Sequence, residues 1–350
     1  MHILVITPGF PENENDTSSI PAMYEYFSAL HCEHSKLKIT IVSIHYPFRN
    51  LTYFWKGIKV INCGGGSIKF PFKILFWIRT IFNSLKINKQ LQVDVIHSFW
   101  LTESALIGSI LSKIFNIKHI CTIMGQDAKK ANTYLKILPL KNIIKVALSE
   151  YHSDYFRKST GLNPNYIIPW GITYFKIEES KRPIDIIGVG SLIPLKNYKL
   201  FIDIVAKLKE DFPSINCILI GEGTEKSEIV KEIEKKNLSK NITLTGQLTR
   251  EEVLLKMMKS KILLHTSNYE SFGLVIIEGL ASGCYVVCKK IGIAKETKKI
   301  LIIKNIEDAY FGIKNIIINT KDYSPEFSYP VADTVSSYMK LYKTCTFLNG

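Results

Sequence analysis

The sequence predicts an α/β protein made of two doubly wound domains in tandem. Short apolar β-type runs alternate with helical stretches along most of the chain, and the runs are continuously apolar rather than alternating. The pattern also breaks at a polar, charged stretch near residue 180 and then restarts. Continuous apolar strands separated by helices indicate parallel strands covered on both faces. With 350 residues, 46% of them hydrophobic and 22% charged, the chain can bury two cores at roughly 150 residues per domain. Nothing in that balance resembles a disordered chain.

In order, the first half offers strands at 3–7, 38–43, 59–61, 95–98, 118–122 and 145–148, with helices at 20–30 and 103–115 among them. Pro169 and Gly171 close this domain, set at 1–170, and the polar stretch 176–183 reads as a linker. The second half, set at 171–330, offers strands at 185–190, 215–220, 242–245, 262–266 and 285–288. Its helices are expected at 198–211, 225–236, 250–259 and 273–281. Residues 331–350 are expected to form a helix that packs back on the first domain. Two Rossmann-like domains in tandem make a cleft, and ligands of open α/β sheets sit beyond the carboxyl ends of the strands.

No apolar run reaches the roughly 18 residues of a membrane span, and the N-terminus runs straight into strand-like residues without a basic leader. The seven cysteines are scattered and lack partner clusters, so buried free thiols are expected in place of zinc or disulfides, in a reducing compartment, the cytoplasm. The net charge of +14 is uneven: residues 1–33 carry five acids and no Lys or Arg, residues 34–149 carry 17 basic and 3 acidic residues, and residues 150–350 carry 28 and 23. A basic first half faces something anionic. Within it, 67–90 places Phe70, Ile74, Trp77, Ile78, Ile81 and Leu85 at helical spacing, flanked by Lys69, Lys73, Arg79, Lys86 and Lys89. Such a helix suits the interface of an anionic bilayer, with Lys69, Lys73, Trp77 and Arg79 facing the membrane; packing on the sheet as an ordinary domain helix is the alternative. Nucleic acid is disfavoured, because the basic stretch holds no reader motif.

In the second domain the loops after the strands carry the chemistry. GEGTEK lacks the G-x-G-x-x-G spacing of a dinucleotide fingerprint and reads as a tight turn. The stretch SNYESFGLVIIEGLASG after the fourth strand carries more. Ser271 is the expected N-cap of a helix whose entry amides, at Phe272, Gly273 and Leu274, would meet a diphosphate. Glu270 beside that anion suits sugar hydroxyls, and Glu278 further along the helix suits a ribose diol. Lys196, after the first strand, supplies a point charge.

ESFGLVIIEGLASGCYVV resembles the E-x-F-G-L-x-x-x-E signature of the retaining family-4 glycosyltransferases of the GT-B fold, with the two glutamates at the family's spacing. GVGSLIPLKNY resembles its G-R-L-x-x-x-K-G, HSFWLTESALIG its H-x-H region, IIPWGIT its P-N-G linker and GEGTEK its G-x-G motif, so the resemblance spans nearly the whole chain. It implies two domains facing each other across a cleft, and transfer of a sugar from a UDP- or GDP-sugar with retention, without metal or other cofactor. Lys196 and Glu270 would be catalytic, and Ser191, Ser271, Phe272, Gly273, Leu274 and Glu278 would join them in holding the donor. Gly9, His97, Met124 and Asp127 would face the acceptor or sugar. The chain departs from the pattern where Ser191 replaces the usual arginine, where Met124 replaces a histidine, and where a polar stretch at 12–19 replaces a glycine-rich loop. The acceptor implied is a glycan or lipid-linked molecule of surface polysaccharide or glycolipid synthesis, met at the inner face of the plasma membrane. A non-catalytic sugar-nucleotide binder and a sugar-nucleotide epimerase are the alternatives.

Overall fold

Uninterrupted apolar strands cannot leave either face in water, and in the computed structural model they form two mainly parallel sheets, each covered by helices. The structure describes residues 1–66, 71–176 and 181–347 and falls into two units, Met1–Thr173 with Pro330–Gly350, and Tyr174–Tyr329. Gly171–Thr173 thus sit with the first unit, three residues beyond the boundary expected at 170. Part of the expected linker, 177–180, lies outside the described residues.

The first unit contains β1 (His2–Gly9), α1 (Pro21–Glu33), β2 (Lys38–Tyr46), β3 (Asn50–Trp55), β4 (Ile58–Cys63), α2 (Lys73–Gln90), β5 (Val95–Phe99), α3 (Glu103–Phe115), β6 (His119–Thr122), β7 (Ile144–Ala147), α4 (Glu150–Thr160) and β8 (Tyr166–Ile167). The sheet order is β3-β4-β2-β1-β5-β6-β7-β8, parallel except for β3 against β4. Central β1 buries Ile3, Leu4, Val5 and Ile6 almost completely. The expected strand at 59–61 is one arm of a hairpin with β3, whose burial alternates as an edge strand's does. Its turn places Lys56 and Gly57 at φ 46° and 84°, the double left-handed geometry of a tight hairpin.

The second unit contains β9 (Ile184–Val189), α5 (Tyr198–Asp211), β10 (Cys217–Ile220), α6 (Lys226–Lys235), β11 (Ile242–Gly246), α7 (Arg250–Met258), β12 (Ser260–His265), α8 (Leu274–Ala281), β13 (Tyr285–Cys288), β14 (Ile300–Ile302) and α9 (Ile306–Asn319). All six strands are parallel in the order β11-β10-β9-β12-β13-β14. The chain winds outward in one direction from β9 and in the other from β12. The switch point, where such sheets hold ligands, therefore lies between those two strands.

The last helix, α10 (Val331–Phe347), belongs to the first unit. Its entry lies against the exit from that unit: Val331 N–H donates to the Ile172 carbonyl (3.0 Å), and a Cβ at Gly171 would stand 2.5 Å from the Pro330 carbonyl oxygen. Beyond this crossing, buried hydroxyls link the helix to the sheet. The Tyr342 hydroxyl meets the Tyr26 hydroxyl (2.9 Å) and His97 Nδ1 (2.7 Å). Thr122 Oγ1 meets His97 Nε2 (2.8 Å) and the Tyr338 hydroxyl (2.7 Å).

Six of the seven cysteines are buried free thiols, while Cys32 is exposed, contrary to expectation, because it lies near the solvent end of α1. Among the described residues no helix is long and apolar enough to cross a membrane.

Burial holds three imidazoles of this unit neutral, pushing His97 well below its usual range, His119 down to about 3 and His152 to about 4. Unfolding returns them to about 6.5, so below that pH the unfolded chain takes up protons that the folded chain refuses. Stability should fall as pH drops from about 6.5 to about 4. Urea-denaturation midpoints across that range measure it, and His119→Asn should flatten the slope by up to one proton. A midpoint that does not move with pH would mean that these rings ionise in the folded state.

Candidate functional site

The carboxyl ends of β9 and β12 are stitched together by their loops. After β9 the chain turns at Gly190 (φ 145°), passes the exposed Ser191 and enters a short 3₁₀ turn, Pro194–Lys196. Thr266 Oγ1 donates to the Lys196 carbonyl (3.0 Å), and Asn268 N–H donates to the Leu195 carbonyl (2.8 Å). These two bonds fix the backbone of Lys196 against the loop after β12. The GEG segment is a tight turn packed backbone to backbone on the loop after β9. A Cβ at Gly221 would stand 2.0 Å from the Gly190 carbonyl oxygen, and one at Gly223 2.3 Å from that of Leu192.

Onto this frame the fold brings Lys196 and Glu270, 74 residues apart in sequence. Lys196 Nζ donates to Glu270 Oε1 at 2.5 Å, and His265, the last residue of β12, places Nε2 3.0 Å from the same oxygen. Burial alone would raise the carboxyl pKa. The His265 hydrogen bond and the Lys196 charge outweigh it and hold Glu270 down to about 2. Glu270 is thus an anion throughout the neutral range, and Lys196 is its ion-pair partner rather than a solvated lysine.

Helix α8 begins later than expected. Its N-cap is Gly273 at φ 95°, not Ser271, since the chain reaches helical geometry only at Leu274. Ser271 and Phe272 are buried in the connection. Phe272 packs edge-on against Tyr329 and accepts Ile293 N–H on its carbonyl (2.9 Å), so its side chain belongs to the core. Leu274, half-buried, opens the helix. One turn further, Glu278 is buried and accepts from Arg250 Nε (2.9 Å), the first residue of α7.

His265 and Arg250 were not singled out from the sequence. His265 ends an ordinary apolar strand, and Arg250 opens a helix behind the Thr249–Glu252 capping box, where a solvated arginine would look the same. Among the described residues no three His, Cys, Asp or Glu side chains gather as a metal site.

The residues expected to face an acceptor are placed differently. His97 is fully buried with both ring nitrogens engaged by Tyr342 and Thr122, so it ties α10 to the sheet and does not face a sugar. Asp127 is buried too. Its carboxylate accepts the amides of Leu101 (2.8 Å), Gly125 (2.6 Å) and Met124 (3.2 Å), so it shapes the loop instead of meeting substrate. Met124 is half-buried in that loop. Gly9 is buried, and a Cβ there would crowd Tyr46 Cβ at 3.2 Å, so the glycine makes room for protein. A pair not foreseen lies at the end of β2, where His45 Nε2 and Glu103 Oε1 are 2.6 Å apart.

Helix α2 is amphipathic, but rotated from the expected face. Phe72, just before it, and Leu75, Ile78 and Phe82 are between 58% and 65% exposed, whereas Trp77 and Ile81 pack on the core, so Trp77 faces inward. The inward Thr80 and Ser84 satisfy themselves on the carbonyls of Phe76 (2.7 Å) and Thr80 (2.8 Å). Arg79 is exposed, Lys73 lies 3.9 Å from Glu103, and Lys69 lies outside the described residues.

Comparison with known proteins accords with this geometry. The family described as glycosyl transferases group 1 matches residues 173–307. An uncharacterized glycosyltransferase of Methanocaldococcus jannaschii is 27% identical over 226 residues, 61% of this chain and 62% of that protein. A phosphatidylinositol N-acetylglucosaminyltransferase component of Homo sapiens is 23% identical over 333 residues, 88% of this chain and 66% of that protein. The match thus spans just under two thirds of each relative's length. Anabaena HepE, solved with UDP and glucose, superposes with a TM-score of 0.75 at 13% identity over 98% of this chain and 100% of its own. The fold is that of the GT-B glycosyltransferases.

Arg250→Ala removes the cation from a buried carboxylate, which typically costs about 3–5 kcal/mol. Thermal denaturation should show a large loss for Arg250→Ala and a smaller one for the double variant Arg250→Ala/Glu278→Gln. Equal losses would mean that the pair is not coupled.

Proposed function

We propose that the protein is a metal-independent retaining glycosyltransferase of the family-4 type, which moves a sugar from a UDP- or GDP-sugar to a glycan or lipid-linked acceptor. The observation that carries this reading is the Lys196–Glu270 pair at the switch point of the second sheet. A lysine held beside a carboxylate there can give its charge to the donor diphosphate, while the carboxylate, ionised and fixed, accepts sugar hydroxyls. Glu278, oriented by Arg250, is assigned to the ribose. Retention follows if the acceptor hydroxyl attacks on the face that the nucleotide leaves, the departing phosphate taking its proton. HepE, crystallised with UDP and glucose, supports the donor class, and the human relative, named for phosphatidylinositol, supports a lipid acceptor.

Lys196→Ala should weaken binding of UDP- or GDP-sugars by about ten- to a hundred-fold, the worth of a charge-assisted bond to phosphate. Calorimetry checks the affinity, and turnover of the wild type should survive EDTA. Unchanged affinity, or activity that returns only with manganese, would overturn the assignment, and binding without turnover would favour the non-catalytic reading.

The same proposal places the protein at the cytoplasmic face of an anionic membrane. Helix α2 shows Phe72, Leu75, Ile78 and Phe82 to solvent beside Arg79, Lys86 and Lys89, without one acid in its length. Each basic side chain near such a surface contributes about 1 kcal/mol, screened as salt rises. The protein should sediment with phosphatidylglycerol vesicles at low salt and less so as Lys73→Glu/Arg79→Glu or Leu75→Ser/Phe82→Ser. Failure of the wild type to bind would refute the membrane role.

A further inference from the structure

Two donors share one oxygen of Glu270. If Lys196 serves the donor diphosphate, its ammonium must divide its attraction between two anions or leave the carboxylate. Glu270 is mostly shielded from water, with its side chain 17% exposed, and a buried carboxylate deprived of its cation is strongly destabilising. His265 is the group positioned to take over: its side chain is 4% exposed and its Nε2 is already 3.0 Å from the same oxygen.

We infer that His265 is a positioning residue that compensates the charge of Glu270 when Lys196 is drawn to an anionic ligand, taking up a proton as it does so. The inference rests on the reading of Lys196 as the diphosphate-binding lysine. The titratable groups placed about this point include Glu270 after β12, Lys196 after β9, Tyr198 at the start of α5, and Cys288 beside His265 in β13, with Glu296 acting on Cys288. Burial pushes the Tyr198 hydroxyl up beyond the physiological range and the Cys288 thiol up to about 12, so neither changes charge near neutrality.

Both events at the site act on the imidazole in one direction. Loss of the ammonium from beside Glu270 and arrival of the diphosphate each leave more negative charge near the ring, and each raises its affinity for a proton. The proton comes from solvent. Binding should therefore tighten as pH falls across the window between the ring's free and bound pKa values, by up to tenfold per unit.

The test has one arm without ligand and one with it. In the full chain, the His265 ring is titrated by NMR in wild type and in Lys196→Met, which removes the ammonium at similar length. Its apparent pKa should rise by about one unit or more in the variant; an unchanged or lower value overturns the inference. In the second arm UDP-glucose, whose diphosphate does not titrate near neutrality, is bound in buffers of different ionisation enthalpy between about pH 6 and 8. Wild type should take up a proton on binding. His265→Gln, which keeps a hydrogen-bond donor without the charge, should bind UDP-glucose without proton uptake and with a flat pH profile. Binding with no uptake by wild type, or the same uptake by His265→Gln, overturns the role of His265 and leaves the donor site standing. A higher ring pKa in Lys196→Met together with no binding of UDP-glucose would instead count against the UDP-linked donor while sustaining the charge exchange.

Discussion

The candidate site depends on one buried negative charge. A carboxylate removed from water must find its own counter-charge and hydrogen-bond donors, or it will protonate or unfold its surroundings. Glu270 finds both on one oxygen, from Lys196 and His265. The loop after β9 must then lie against the loop after β12, and the bonds from Thr266 and Asn268 to the turn at Lys196 hold it there. Gly221 and Gly223 pack on the loop after β9, where a Cβ at either would meet the backbone of Gly190 or Leu192, and Gly190 itself turns at φ 145°. One electrostatic requirement thus joins two loops at the carboxyl end of the sheet.

The first unit is organised by a different need. Its sheet carries a polar seam at β5 and β6, His97 and Thr122, which would be costly to bury unsatisfied. The seam is closed from the far end of the chain by Tyr338 and Tyr342 of α10. The neutral imidazole that results is a structural group, and so is the Asp127 carboxylate clasped by three amides. Here buried polarity serves packing, whereas in the second unit it joins two loops at the switch point of the sheet. What separates them is exposure: His97 is fully buried with both nitrogens occupied, while the Lys196 side chain remains partly exposed.

Helix α2 shows how far periodicity can be trusted. The helix and its basic flank were legible, but the apolar residues lie on more than one face, and the face toward the core was not. Trp77 and Ile81 pack inward, with Thr80 and Ser84 between them satisfied by the helix's own carbonyls, while Leu75, Ile78 and Phe82 face water. Polar residues that bond within their own helix can be buried cheaply, and this reverses the usual assignment of faces.

The sequence by itself determined the two doubly wound domains and the segments of most strands, and it singled out Lys196, Glu270 and Glu278 as candidates, because continuous apolar runs and loop motifs are local signals. Only the tertiary structure decided that Lys196 and Glu270 touch, that His265 and Arg250 join them, that α8 begins at Gly273 instead of Ser271, and that His97 and Asp127 are interior supports. These outcomes depend on which side chains meet across strands far apart in sequence and on how much water remains around them. Charge compensation in a buried site is a property of the assembled surroundings, and no spacing along the chain encodes it.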